Sequence, residues 1–309
     1  MRVKKIIAVA MLLTGSSAFA QEDLLKQLDQ VQDSSTVYSA ATFKGTRIIN
    51  GHSVETVGKN NMDFIISHRF GAVNSGANNF FGLDESQIRL ALEYGLTDRL
   101  MVGIGRSSYQ KTIDVFAKYR LLKQSSGFKN MPVSVTLFVS DAHNASTSST
   151  ELPFYTIAQR QTYTFQALIA RKFSEKFSLQ ITPTVLHRNL AENQIDANNL
   201  YALGMGGRYK LTKRTSFNVE YWYTPKTFAG TTQRDPRFTN TLSLGFDIET
   251  GGHVFQLHLT NSRGMIEKQF IGQTTGKWNS GDIFYGFNVA RTFSFDKSKK
   301  RKSSGYQNI

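Results

Sequence analysis

The chain has 309 residues, no cysteine and a formal net charge of +14 at pH 7. The missing cysteines exclude disulfides, thiolate metal sites, iron–sulfur clusters and covalently attached c-type haem. Beyond the N-terminus there is no apolar run of roughly 18 residues, which excludes a helix that crosses a membrane; hydrophobic residues amount to 40%, enough to cover one face of a sheet.

Residues 1–20 read as a secretory signal peptide. Arg2, Lys4 and Lys5 form the positive region, Ile6 to Leu13 a short apolar stretch, and Ala18-Phe19-Ala20 a cleavage site, so that Gln21 begins the mature chain. Residues 21–58 form a periplasmic N-terminal segment by this reading. Leu24, Leu25, Leu28 and Val31 are spaced for a short amphipathic helix. Residues 40–58 join that helix to the first strand, with an extra hairpin expected to turn at Asn50-Gly51.

From 59 to 295 the sequence alternates apolar and polar residues in about twelve strand-length segments. The first places Met62, Phe64, Ile66, His68 and Phe70 on one face, with Asp63, Ser67 and Arg69 on the other. The last sets Tyr285, Phe287, Val289 and Phe293 against Gly286, Asn288, Thr292 and Ser294. A soluble sandwich or lipocalin-like binder alternates too, and loop lengths separate the cases. Short connections at 95–99, 171–176, 210–216 and 249–253 alternate with long ones at 71–86, 141–161, 189–198, 224–237 and 261–282, with 107–111 and 121–132 as mild exceptions. Short periplasmic turns and long outer loops are the pattern of an up-and-down antiparallel transmembrane β-barrel. An even strand count puts both chain ends in the periplasm.

Aromatic residues form two belts at the strand ends, as expected at headgroup level. Tyr94, Tyr119, Tyr209, Phe217 and Phe293 mark one end; Phe70, Tyr163, Tyr201 and Tyr223 mark the other. The polar face carries Arg69, Arg89, Lys118, Arg120, Arg208 and Lys210 against Asp63, Glu93, Asp114, Glu220 and Asp247. With the signal peptide and the basic tail at 296–309 removed, the net charge is +7. A nearly balanced lumen of this kind should be laced with ion pairs drawn from neighbouring strands. The tail, with Lys297, Lys299, Lys300, Arg301 and Lys302, is expected to be solvated.

No catalytic, metal or cofactor site emerges. Ser67 and His68 point to opposite faces; His258 points inward beside Gln256; His52, His143 and His253 fall in loops or turns without partners at ligand spacing. Gly103/Gly105 and Gly204/Gly206 precede no helix, so they make room for bulky neighbours and do not form a nucleotide loop.

The run Phe43-Lys44-Gly45-Thr46-Arg47-Ile48-Ile49-Asn50-Gly51-His52-Ser53-Val54-Glu55 resembles the opening of an uncharacterised family of Gram-negative outer-membrane β-barrel proteins. The stretches 66–71, 79–84 and 102–107 resemble it too. The resemblance implies a barrel of unknown function and supplies no catalytic residues. The expected protein is an outer-membrane channel or passive transporter for small solutes. The rivals are a closed structural or docking barrel and a lipid-modifying hydrolase. Its expected partners are outer-membrane lipid, the barrel assembly machinery and a periplasmic protein reached through 21–58 or the tail. Nucleic acid is not among them.

Overall fold

The computed structural model describes residues 35–146, 156–191 and 196–295. The signal peptide, the helix expected at 21–33 and the basic tail lie outside the described residues. Residues 40–123 and 133–295 belong to one compact unit, and this unit is the barrel. A second unit includes a small sheet in which Thr36–Tyr38 pairs with Ser125–Gly127.

Twelve antiparallel strands close on themselves: β1 Asn61–Ala72, β2 Ser86–Gly95, β3 Leu100–Ser107, β4 Thr112–Leu122, β5 Ser134–Asn144, β6 Gln161–Lys172, β7 Phe177–Arg188, β8 Asn199–Lys210, β9 Thr215–Tyr223, β10 Thr241–Thr250, β11 His253–Thr260 and β12 Phe284–Ser294. Each strand pairs with the next in sequence. The ring closes where β12 meets β1, with Phe287 opposite His68 and Val289 opposite Ile66. Closure leaves no strand edge unpaired, the condition for a sheet to survive in hydrocarbon. Connections of two to four residues at one end (96–99, 173–176, 211–214, 251–252), together with the 123–133 link, alternate with connections at the other end that are longer except at 108–111.

The two faces of the wall differ as a membrane requires. Leu90, Ile104, Val115, Phe165, Ile181, Met205 and Leu257 project outward and are 42–54% exposed. Their neighbours in sequence turn inward and are buried: Arg89, Gly105, Asp114, Thr164, Gln180, Gly206 and Gln256. A soluble lipocalin-like barrel would carry the opposite polarity. All nine belt aromatics sit on the outward face, exposed or half-buried, among them Tyr119, Tyr209 and Tyr223 at 43–47%. Phe70 stacks on Tyr285 at 5.0 Å across the closing seam.

The lumen is not empty. Residues 40–58 lie inside the barrel, where Phe43, Ile48, Ile49, Val54 and Val57 are at most 5% exposed. This corrects the sequence reading, which places the stretch in the periplasmic segment 21–58. The correction has a physical cause: five apolar side chains at irregular spacing make neither a strand nor a helix face, so they are buried only if the whole segment is enclosed. A second insert enters from the long-loop end. Within 261–283, helix α1 (Glu267–Gly272) is buried at every residue, and Phe270 packs on Trp222 at 5.1 Å.

This polarity makes a direct prediction. Ile181 lies near the middle of β7 on the lipid face. Ile181→Lys should lower folding stability in lipid vesicles by about 2–4 kcal/mol, read from urea titration of the heat-dependent gel shift.

Candidate functional site

The site is the seat of the inserted hairpin. Its feet stand at the short-turn end, where Asn60 N–H donates to Gly95 O at 2.9 Å and Lys44 pairs with Glu249. The chain reverses between Ile48 and Gly51. Ile48 N–H donates to Gly51 O, Ser53 N–H donates to Thr46 O, and Arg47 bridges to His52. Neither Asn50 nor Gly51 has a positive φ. The Asn-Gly pair therefore does not form the two-residue left-handed turn its sequence suggests. A carboxylate takes the place of that turn geometry: Glu220 accepts from the N–H groups of Ile49, Asn50 and Gly51 at 3.0–3.2 Å, and from Trp222 Nε1 at 2.9 Å. Gly51 is required here, because a Cβ would lie 2.5 Å from the Trp222 ring. Gly204 clears the other side of the same ring, where a Cβ would come within 2.7 Å.

Irregular backbone enclosed in a barrel must find a partner for each N–H and C=O. Side chains from seven strands supply many of them, and two further strands hold the side chain of Asn50. Arg69 of β1 donates to Asn50 Oδ1; Lys118 of β4 donates to Thr46 O and Glu55 O; Thr136 of β5 donates to Val54 O. Gln180 of β7 accepts from Val54 N–H and donates to His52 O, and Arg208 of β8 donates to Ala41 O and Thr42 O. Glu220 of β9 holds the tip, and Ser243 of β10 accepts from Asn50 Nδ2. Gln256 of β11 donates to Ile48 O, and Asn288 of β12 donates to Ile49 O.

The eleven charges picked from sequence are thus put to a different use from the one expected. Arg89 and Asp114 are the direct ion pair among them in the described residues, reaching across Gly105 from β2 to β4. Arg69, Lys118, Arg208 and Glu220 bind the hairpin. Arg69 also donates to Ser262 O and Gly264 O of the second insert, at 2.8 and 2.7 Å. Arg120 approaches Glu55 of the hairpin at 3.8 Å, Asp63 accepts from Thr292 at 2.6 Å, and Asp247 accepts from Gln256 at 2.7 Å. Lys210 is only partly exposed, at the last position of β8, and Glu93 is fully buried, with no hydrogen-bond partner for either oxygen among the described residues. Strand periodicity describes the wall alone, which is why it points to ion pairs between neighbouring strands. Once the hairpin is inside, its carbonyls and N–H groups compete for the same charges, and they are closer.

The two inserts meet at the centre. His52 Nε2 lies 3.8 Å from Glu267 Oε1, and the imidazole packs on Phe116 and Phe138 at 4.8 and 4.4 Å. Around this point both His52 nitrogens, Arg47 Nε and Nη2, Arg89 Nη1 and Glu267 Oε1 are buried without a hydrogen-bond partner among the described residues. Beside Arg47 a cavity of about 40 Å³, lined also by Asp247, Gln256 and Asn288, separates hairpin from wall.

The remaining histidines differ in part from expectation. His143 is in β5 and His253 begins β11, so neither lies in a loop. His68 stacks outward on Phe287, and His258 contacts Arg69 at 3.0 Å inside. His187, overlooked in the sequence, shares a 2.7 Å hydrogen bond with Asn199. Among the described residues no histidine is hydrogen-bonded to a serine or threonine hydroxyl, and no cluster of three metal-ligating side chains occurs.

Strands that show lipid an apolar face, and a lumen filled by two segments of the same chain, define a membrane β-barrel with an internal plug. The chain belongs to the family described as membrane bound beta barrel domain (DUF5777), whose model matches residues 43–293. The match begins at Phe43, so it covers the hairpin together with the barrel. No curated protein matches the chain. Similar solved structures include the NanC porin, with a TM-score of 0.46 and 8% identity over 75% of this chain and 98% of that one. Others are an outer membrane channel from Pseudomonas putida F1, at 0.46 and 14% over 77% and 97%, and outer membrane phospholipase A from Escherichia coli, at 0.42 and 9% over 74% and 89%.

The seat generates two predictions. Glu220→Ala removes the acceptor of three tip N–H groups. Hydrogen exchange of residues 45–57 should accelerate by roughly a hundredfold, while strand amides keep their protection. The second concerns pH. Burial, reinforced by Arg47, Lys118 and Arg89, holds His52 well below the ordinary histidine range, so the seated imidazole is neutral. In released hairpin it would titrate near the ordinary value of about 6.5. The seated state binds fewer protons, so the stability of the seat is full above that pH and falls as the pH drops below it. Burial shifts Glu267 upward, which acts with the opposite sign: its contribution is lost as pH rises from about 4.3 through the raised value. Exchange at 45–57, corrected for intrinsic rates, should therefore increase below about pH 6.5. His52→Phe should abolish that rise, and Glu267→Gln should preserve it.

Proposed function

We propose that this protein is an outer-membrane channel for small polar solutes that rests closed, with the hairpin 40–58 as its gate. The supporting observation is the chemistry of the wall behind the plug. An apolar inner wall would stay dry once uncovered. Here the covered wall carries a polar stretch of Thr136, Ser140, Thr162, Thr164, Gln166, Ser178, Gln180, Thr182 and Thr184, interrupted by Gly204 and Gly206, beside an apolar patch in which Met101, Phe116, Phe138 and Leu168 pack with Val57 of the hairpin. Water wets the polar stretch once the hairpin leaves. The hairpin's hydrogen bonds to the wall are ones that water can replace.

The seat is also imperfect in the way a releasable part should be. Each buried polar group left without a protein partner costs about 1–3 kcal/mol, and several of them converge where His52 faces Glu267. That cost opposes the apolar burial of Phe43, Ile48, Ile49, Val54 and Val57, worth about 1.5–3 kcal/mol per side chain. The balance leaves a plug that is stable but not locked. With the short turns toward the periplasm, the feet of the hairpin open to that side. The uncovered lumen would hold Arg69, Arg89, Lys118, Arg188 and Arg208 against Glu93, Asp114, Glu220 and Asp247, five positive charges against four negative. Such a balance gives little ion selectivity.

Planar bilayer recordings test this. The unmodified protein should show low, infrequent conductance, and Glu220→Ala should conduct steadily. Joining Asn50→Cys to Ser243→Cys with a short bis-thiol reagent should abolish conductance, and reduction should restore it; the chain has no other cysteine. A Glu220→Ala protein whose hairpin is free by hydrogen exchange and which still fails to conduct would identify a closed structural barrel.

A further inference from the structure

We infer that the outer wall carries a binding site for a lipid with an anionic phosphate headgroup, built from a groove over β2 and β3 and the guanidinium of Arg106. Two rows of outward side chains form the groove. Phe64, Leu92 and Ile104 stand opposite one another on β1, β2 and β3, and Leu90, Arg106 and Ile113 form the next row on β2, β3 and β4. Between the rows the wall is thin, because Ala91 and Gly105 turn their small or absent side chains inward. The resulting cavity has a volume of about 300 Å³, and its lining is apolar apart from Arg106. That suits an acyl chain.

Arg106 gives the site its polarity. It is the next-to-last residue of β3, exposed, at the long-loop rim where the connection 108–111 is short. A cation on the lipid face is tolerated near the interface and is costly deeper. The other outward arginines are covered: Arg171 lies over Phe173 at 5.1 Å and Arg291 over Phe293 at 5.0 Å. Among the described residues, Arg106 has neither an acid nor a ring against it. Lys111 in the adjoining connection is a second exposed cation, held at φ 48, and His143 stands opposite Ile113 in the register on β5. An apolar groove that ends at two uncompensated cations matches an amphiphile with an anionic head. The guanidinium fork favours phosphate oxygens over a single point charge.

The test uses the full mature chain, folded in detergent and checked by its heat-dependent gel shift. Native mass spectrometry compares retention of phosphatidic acid with phosphatidylcholine of the same acyl chains. The unmodified protein should retain phosphatidic acid preferentially. Arg106→Ala should reduce that retention about tenfold, to the phosphatidylcholine level, with Arg106→Lys between. Ile104→Trp, which fills the groove and leaves both cations, should also abolish the preference. Equal retention of the two lipids by the unmodified protein, or an unchanged preference in Arg106→Ala or in Ile104→Trp, would overturn the site.

Discussion

The structure depends on the obligation of buried backbone to find hydrogen-bond partners where water is scarce. The barrel wall meets it by closure, each strand bonded to its neighbours and β12 to β1. The hairpin 40–58 cannot meet it that way, since its internal backbone pairing amounts to one bridge made of two hydrogen bonds. Its other backbone groups draw on polar side chains of seven strands and on its own Arg47, Ser53 and Glu55. The polar inner face and the irregular hairpin are therefore one feature: each is stable inside a membrane because the other is there.

Glu220 shows how the dependence is concentrated. One carboxylate gathers three consecutive N–H groups and the indole of Trp222. Trp222 then presses on Gly51 on one side and packs on Phe270 on the other, so the tip of the hairpin and the buried helix of the second insert lean on the same ring. Arg69 makes the matching polar link, from Asn50 to Ser262 and Gly264. Through these two residues the inserts from opposite ends form one plug.

That plug is well held at its tip and poorly satisfied at its centre. His52, Arg47 and Glu267 lie together in the buried interior with fewer partners than their polar atoms require. A static filling would be expected to replace such groups with hydrocarbon, since isosteric apolar substitution of buried charges is often neutral or stabilising. The two properties belong to different residues: Glu220 and Trp222 hold the tip, and Arg47, His52 and Glu267 meet at the centre.

The sequence by itself determined the barrel. Strand periodicity is a local property of period two, and each segment from Met62 to Phe293 declares its two faces without reference to any other. Loop lengths ordered the strands, and the aromatic residues marked their ends. The same alternation put Arg69, Lys118, Arg208 and Glu220 on the inner face. What those charges bind was decided only by the tertiary structure. Residues 40–58 have no periodicity, so nothing local distinguishes a segment lying beside the barrel from one inside it, although the run from Phe43 to Glu55 is the most distinctive in the chain. Gln180, Gln256, Thr136 and Asn288 read as ordinary inward polar residues, because their partners are backbone atoms up to 239 positions away. A backbone carbonyl leaves no trace in residue identity. The occupied lumen, unlike the wall around it, could therefore be read only from the folded chain.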